Sequence, residues 1–150
     1  MQLGWSISPN LAEIPLMLDA VREMVETVLD LDDAGAVELA VAEALNNIVE
    51  HGQLLPTAVI YLDIVADATS DCVTIVIRDS GRPIPPTMLD NASASAFDFD
   101  PDDLMNLPEG GMGLSIICAA MDEVAYETGA EGNQLFLTKR RTPVKSTSQS

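Results

Sequence analysis

Glu43, Asn47 and His51 recur every four residues in "VAEALNNIVEHG", residues 41–52. On a helix that spacing stacks a carboxylate, an amide and an imidazole along one stripe, opposite an apolar face of Val41, Leu45 and Ile48. Taken alone, such a stripe is more simply a solvated helix surface. A second stretch, "RDSGRPIP" at 78–85, places Asp79 at the end of a β-rich run with Gly81 two residues on. It reads as strand end plus turn. It also suits nucleobase recognition, because a carboxylate accepts from the exocyclic amine of adenine and repels the guanine oxygen, while glycine lets backbone approach a flat base. The third, "EGGMGLSII" at 109–117, runs glycines directly into a helical pattern. Free backbone N–H groups and the helix dipole there favour an anion, and a plain hinge explains the same residues. Neither the Walker-type Gly-Lys-Ser/Thr nor the Rossmann glycine spacing occurs, so a nucleotide site here belongs to another class.

The elements that must position these residues follow from periodicity. Asn10 and Glu13 resemble a capping box, and Leu11, Ile14, Leu18, Val21, Val25 and Val28 continue at helical spacing to about residue 29, with Pro15 tolerable only near a first turn. Asp32 or Asp33 is expected to cap a second helix running to His51, with Gly52 as a left-handed stop. "TAVIYLDIVA" and "CVTIVIRD", separated by "DATSD", predict an antiparallel hairpin. From Ser80 to Gly113 the chain is rich in Pro, Ser, Asn, Asp and Gly without a sustained period and reads mostly as a long functional loop. "GLSIICAAMDEV" is helical in pattern, "VAYET" and "QLFLTK" form two strands around "GAEGN", and the end reads as a frayed tail. Helices beside an antiparallel sheet predict an α+β two-layer sandwich rather than a doubly wound parallel fold.

Composition excludes whole classes of partner. The formal net charge is −17, from 24 acidic against 7 basic residues. Nucleic acid and anionic lipid both need positive surface, so neither is expected. With 150 residues and 47% hydrophobic content the chain suits one domain with a real core. No apolar run reaches membrane-spanning length. Cys72 and Cys118 lie in apolar stretches as buried free thiols, which fits a cytoplasmic setting, although a disulfide stays open at this level.

Helix stripe, strand-end Asp-x-Gly and Gly-x-Gly-Leu helix entry occur in that order in one chain. The succession resembles the N, G1 and G2 boxes of the GHKL (histidine-kinase-like) ATP-binding fold, also called the Bergerat fold. Within it, "GGMGLSIICAAMDEVAYE…GNQLFLTK" looks most like the anti-sigma-factor serine kinases, the RsbW/SpoIIAB-like group. The resemblance spans the first helix to Lys139. It implies a mixed, mainly antiparallel sheet with helices on one face, a kinase domain over 1–141 with an ATP lid at about 86–110, and a flexible tail from 142. It further implies that Asn47 offers an oxygen to Mg²⁺. Glu43 would be the general base toward a serine hydroxyl. His51 would line the phosphate end of the pocket or cap its helix. Asp79, Gly81 and Pro83 match the adenine box, with Pro83 where a second glycine often stands. Gly111, Met112, Gly113 and Leu114 match the phosphate-proximal box. Residues 83–138 contain no Lys or Arg, and Asp98, Asp100, Asp102, Asp103 and Glu109 make the lid acidic. Charge compensation for ATP would then rest on Mg²⁺, the helix entry at Gly113 and Arg82.

Two functions follow from the resemblance. One is an ATP-dependent serine-protein kinase and anti-sigma factor of a partner-switching module. It would phosphorylate an antagonist with a sulfate-transporter/anti-sigma-antagonist (STAS) fold, sequester a sigma factor or other regulator, and form a homodimer. The other is a nucleotide-binding module that sequesters its partner without effective phosphoryl transfer. Glu43 favours the first and the cation-free lid the second.

Overall fold

Strict alternation builds the sheet. In β2 (Ile60–Asp67) the residues Ile60, Leu62, Ile64 and Ala66 are buried, and in β3 (Cys72–Asp79) so are Val73, Ile75 and Ile77. The intervening Tyr61, Val65 and Arg78 face outward. The computed structural model describes residues 1–95 and 113–143, with side chains to residue 92 in the first segment. Among them a five-stranded sheet has the order β1-β2-β3-β5-β4, where β1 is Gln2–Ile7, β4 Glu123–Gly129 and β5 Gly132–Arg140. Helices α1 (Ile14–Val25), α2 (Leu31–His51) and α4 (Gly113–Ala120) cover one face, with α3 (Pro86–Ser95) packed on α4. Val21, Val25, Val37, Val41, Leu45 and Ile117 meet Ile60, Leu62, Ile64, Ile75, Ile77 and Leu137 in a continuous core between the layers. The α+β sandwich is as expected. The sheet, however, is antiparallel at every described pairing rather than mixed.

Local competition explains the other departures. β1 was not anticipated, although Leu3, Trp5 and Ile7 alternate with Gln2, Gly4 and Ser6. Gly4 lowers strand propensity, and a Cβ there would lie 2.6 Å from Asp63 Oδ1, so a larger residue would have to displace that carboxylate. Asn10 caps a 3₁₀ turn (Leu11–Glu13) through Ala12 N–H, and Pro15 falls in the first turn of α1. That helix ends at Val25, before the predicted residue 29. Asp30, not Asp32 or Asp33, caps α2 by accepting from Asp33 N–H at 2.9 Å. Gly52 is right-handed (φ −74°) and Gln53 takes the positive φ of 54°. Glycine at 52 is needed for space: a Cβ would meet the Ile48 carbonyl oxygen at 2.4 Å. α4 stops at Ala120, so Glu123 and Val124 belong to β4 rather than to the helix. Part of the expected loop is α3, which buries Ala92 and packs Leu89 on the core.

Long-range polar ties fix the layers. Arg22 on α1 donates to Glu26 (2.7 Å) and to Glu38 on α2 (2.8 Å). Lys139 Nζ donates to the Ala120 carbonyl at 2.9 Å, a cation at the C-terminus of α4. Asp33 is 6% exposed and accepts from both the N–H and the hydroxyl of Thr142, each at 2.7 Å. Thr142 is therefore held against α2 rather than starting a free tail. Replacing Asp33 by Ala removes both acceptors and leaves the donors of the exposed Thr142 to water. The change should lower unfolding stability by about 1–3 kcal/mol, read as a shifted denaturant midpoint with an unchanged slope. An unshifted midpoint would mean that the clasp contributes nothing.

Candidate functional site

The rotation of α2 decides where its polar stripe goes. Val37, Ala40, Val41, Ala44 and Leu45 face the sheet and are buried, which leaves Glu43 and Asn47 half-buried toward α4. There they meet Gly113, the first residue of α4. A Cβ on Gly113 would lie 2.9 Å from Glu43 Oε2 and 3.7 and 3.9 Å from Asn47 Nδ2 and Oδ1. Only glycine leaves that space open. Leu114 is buried and anchors the helix entry in the core. His51 does not join this group: its side chain is 72% exposed, with Glu50 3.9 Å away. The helix end is closed instead by Gly52 N–H donating to the Ile48 carbonyl at 2.9 Å. Gly111, Met112 and the acidic lid residues Asp98, Asp100, Asp102, Asp103 and Glu109 lie outside the described residues.

The second group sits where β3 ends. Asp79 shares the inward parity of Ile75 and Ile77, so its carboxylate is on the helical side of the sheet. Its Oδ2 accepts from Gly81 N–H at 2.8 Å and from Asn133 Nδ2 at 3.2 Å. Gly81 is pressed onto the end of α2, since a Cβ would lie 2.6 Å from the Gly52 carbonyl, and the same carbonyl accepts from Arg82 N–H at 2.6 Å. Gly132 (φ 115°) lets the start of β5 pass close to the Asp79 carbonyl. Downstream, Ile84 N–H donates to the Tyr126 hydroxyl at 3.0 Å, and Pro83 between these anchors is exposed. Burial, with the nearby Asp79 charge, pushes the Tyr126 hydroxyl pKa up, keeping it neutral. Asn133 and Tyr126 were not singled out from sequence. The available signal was a polar Asn133 at an inward position, flanked by Leu135 and Leu137 in the same parity.

Both groups therefore lie along one helix. Glu43 and Asn47 face Gly113, and nine residues beyond Glu43 the carbonyl of Gly52 supports Gly81. At 1.5 Å per residue this is a span of roughly 13 Å. The open depression at this end of the sheet is lined by Asp79 and Asn133 together with Ser80 and with Tyr61, Arg78 and Gln134, which have the opposite parity. Desolvation, and secondarily the charge of Glu50, raises the Glu43 pKa from its ordinary value. Among the described residues no three His, Cys, Asp or Glu side chains gather as a metal cage. One amide oxygen beside one carboxylate instead fits a magnesium ion that brings phosphate oxygens and water as its remaining ligands. No described helix is long and apolar enough to cross a membrane, and both cysteines are free.

Two expectations follow for the apo protein. Gly81→Ala forces backbone away from Gly52 and should lower the melting temperature, whereas an unchanged melt would show that the contact is loose. A carboxyl whose folded pKa is raised opposes folding once ionised. The Glu43 penalty is therefore absent below the ordinary carboxylate pKa and grows as pH rises through that value to the raised one. Glu43→Gln should thus raise the melting temperature at pH 7 and lose that gain near pH 4. Equal gains at both pH values would contradict burial as the cause.

With this geometry in hand, comparison with known proteins is specific. The family described as "Histidine kinase-like ATPase domain" matches residues 7–139. Two curated relatives, each named "Serine-protein kinase RsbW", come from Staphylococcus aureus strains bovine RF122 / ET3-1 and MRSA252. Each is 32% identical over 94 residues, covering 62% of this chain and 57% of its own length. The chain thus spans a little over half the length of these relatives. A solved histidine kinase domain from the Erythrobacter litoralis EL346 blue-light activated histidine kinase shares the fold, with a TM-score of 0.52 at 19% identity. That match covers 89% of this chain and 61% of the other. The match takes in nearly the whole α+β sandwich, and the chain belongs to the histidine kinase-like ATPase domain family.

Proposed function

We propose that this chain is an ATP-dependent serine-protein kinase acting as an anti-sigma factor. The observation that carries the reading is the convergence of Glu43 and Asn47 on Gly113, at one end of a helix whose other end supports Asp79 and Gly81. Asp79 accepts from the adenine amine, and Gly81 lets the base lie close to backbone. The triphosphate runs along α2 toward Gly113, where N–H groups at the helix entry face it. Met112 and Gly111 precede that entry in the sequence and belong to the same box. Asn47 offers its amide oxygen to Mg²⁺, which neutralises phosphate charge when bound. A serine hydroxyl oxygen attacks the terminal phosphorus, Glu43 accepts the hydroxyl proton, and the bond to the bridging oxygen breaks to release ADP. Its raised pKa makes Glu43 a stronger base than an ordinary carboxylate.

The substrate in this reading is a serine on a STAS-domain antagonist, and the sequestered partner is a sigma factor or analogous regulator. The protein acts in the cytoplasm as a homodimer. The two Staphylococcus aureus relatives named as serine-protein kinases support the chemistry, and the free thiols suit the compartment. A second reading, nucleotide-dependent sequestration without transfer, is favoured by one fact: residues 83–138 contain no Lys or Arg to meet a terminal phosphate. Glu43→Gln separates the two. With a STAS-domain antagonist and labelled ATP, the substitution should reduce phosphoserine formation by about 10²–10⁴-fold while ATP binding persists. The wild-type rate should rise with pH as Glu43 ionises, and the residual rate of the variant should be flat. Undiminished transfer in the variant would remove Glu43 as the base; wild type without transfer that still holds its partner would favour the second reading.

A further inference from the structure

Asn133 is 3% exposed and pairs with Asp79 across the β3–β5 ladder. Its amide is used at both ends. Nδ2 donates to Asp79 Oδ2 at 3.2 Å and to the Gly81 carbonyl at 2.9 Å, and Oδ1 accepts from the Thr128 hydroxyl at 2.6 Å. The orientation is forced. A flipped amide would turn its oxygen toward a carboxylate and a carbonyl, both acceptors, and lose both bonds. Thr128 closes the remaining alternative by donating to the oxygen. Asp79 Oδ2 consequently holds two donors, Asn133 Nδ2 and Gly81 N–H, while no described residue donates to its Oδ1.

We infer that Asn133 is a positioning residue for base selection: by fixing Asp79 Oδ2 and the Gly81 turn, it presents Asp79 Oδ1 to the ligand as a pure acceptor. A 6-amino purine can donate to that oxygen. A 6-oxo purine meets it with a second acceptor and is repelled, and a carboxylate held on one side cannot rotate to relieve the repulsion. Thr128, at the surface, sets the amide and so acts at one remove. The inference rests on reading the Asp79 pocket as the base site, and it assigns the discrimination to a residue outside the three boxes.

The test is calorimetric binding of ATP and of inosine triphosphate, each with Mg²⁺, to wild type, Asn133→Ala and Thr128→Val, alongside thermal melts. Wild type should prefer ATP. Asn133→Ala should shrink the ATP-to-inosine-triphosphate affinity ratio by about 3–10-fold, the worth of one hydrogen bond. Thr128→Val should shrink it less, without a large loss of melting temperature. A purely structural role would weaken both nucleotides in proportion and leave the ratio unchanged, which overturns the inference. If Asn133→Ala does not fold, Thr128→Val decides alone by the same ratio. Wild type that binds both nucleotides equally overturns base selection but keeps the nucleotide site; wild type that binds neither removes the site and this inference with it.

Discussion

The buried face of α2 is the constraint on which the site depends. Val37, Val41 and Leu45 are wholly excluded from solvent, and removing such groups from water is the dominant favourable term in folding. Because the helix advances about 100° per residue, seating those three on the sheet leaves no freedom in where Glu43 and Asn47 point. They must face α4, where a Cβ at position 113 would displace the Glu43 carboxylate. The same rigid body carries the Gly52 carbonyl that supports Gly81. One hydrophobic decision thus sets the separation of the two polar groups, which is the kind of support that a precise ligand geometry needs.

Positive charge is scarce, and most of it is already engaged. Among the described residues Arg22 is paired with two glutamates, Arg78 with Asp63, Arg140 with Glu123, and Lys139 with a helix C-terminus. Arg82, next to Gly81, has no ion pair among them. A polyanionic ligand must therefore be met mostly by backbone N–H groups, by a metal ion and by Arg82, against a net charge of −17. The half-buried Glu43 sharpens this balance. Its carboxylate is disfavoured by desolvation even without a ligand, and a neighbouring phosphate would hold its proton more firmly still unless a cation intervenes.

What was legible in the sequence divides along physical lines. The β2–β3 hairpin and α2 were readable because their apolar period is set by burial on one face. The ends were not. Whether Asp30, Asp32 or Asp33 caps α2 depends on which side chain reaches an N–H, and Asp33 was drawn away by Thr142, 109 positions later. β1 was hidden by Gly4, whose reason lies in a neighbouring strand, and α3 by its shortness. Glu43, Asn47, Asp79, Gly81 and Gly113 could be singled out as candidates because each belongs to a local pattern. His51 belonged to the same pattern, but the helix turns it to solvent. Asn133 was missed because its meaning is a cross-strand pairing, visible only once β5 lies beside β3.

The central claim is that one face of α2 and the end of β3 form a metal-dependent ATP site. It is tested most directly by calorimetric titration of ATP and ADP, with and without Mg²⁺, on wild type, Asp79→Asn and Asn47→Ala. Binding should strengthen with Mg²⁺, weaken in Asp79→Asn in either condition, and lose its Mg²⁺ dependence in Asn47→Ala. No binding by wild type at millimolar nucleotide, or equal binding by all three proteins, would contradict it.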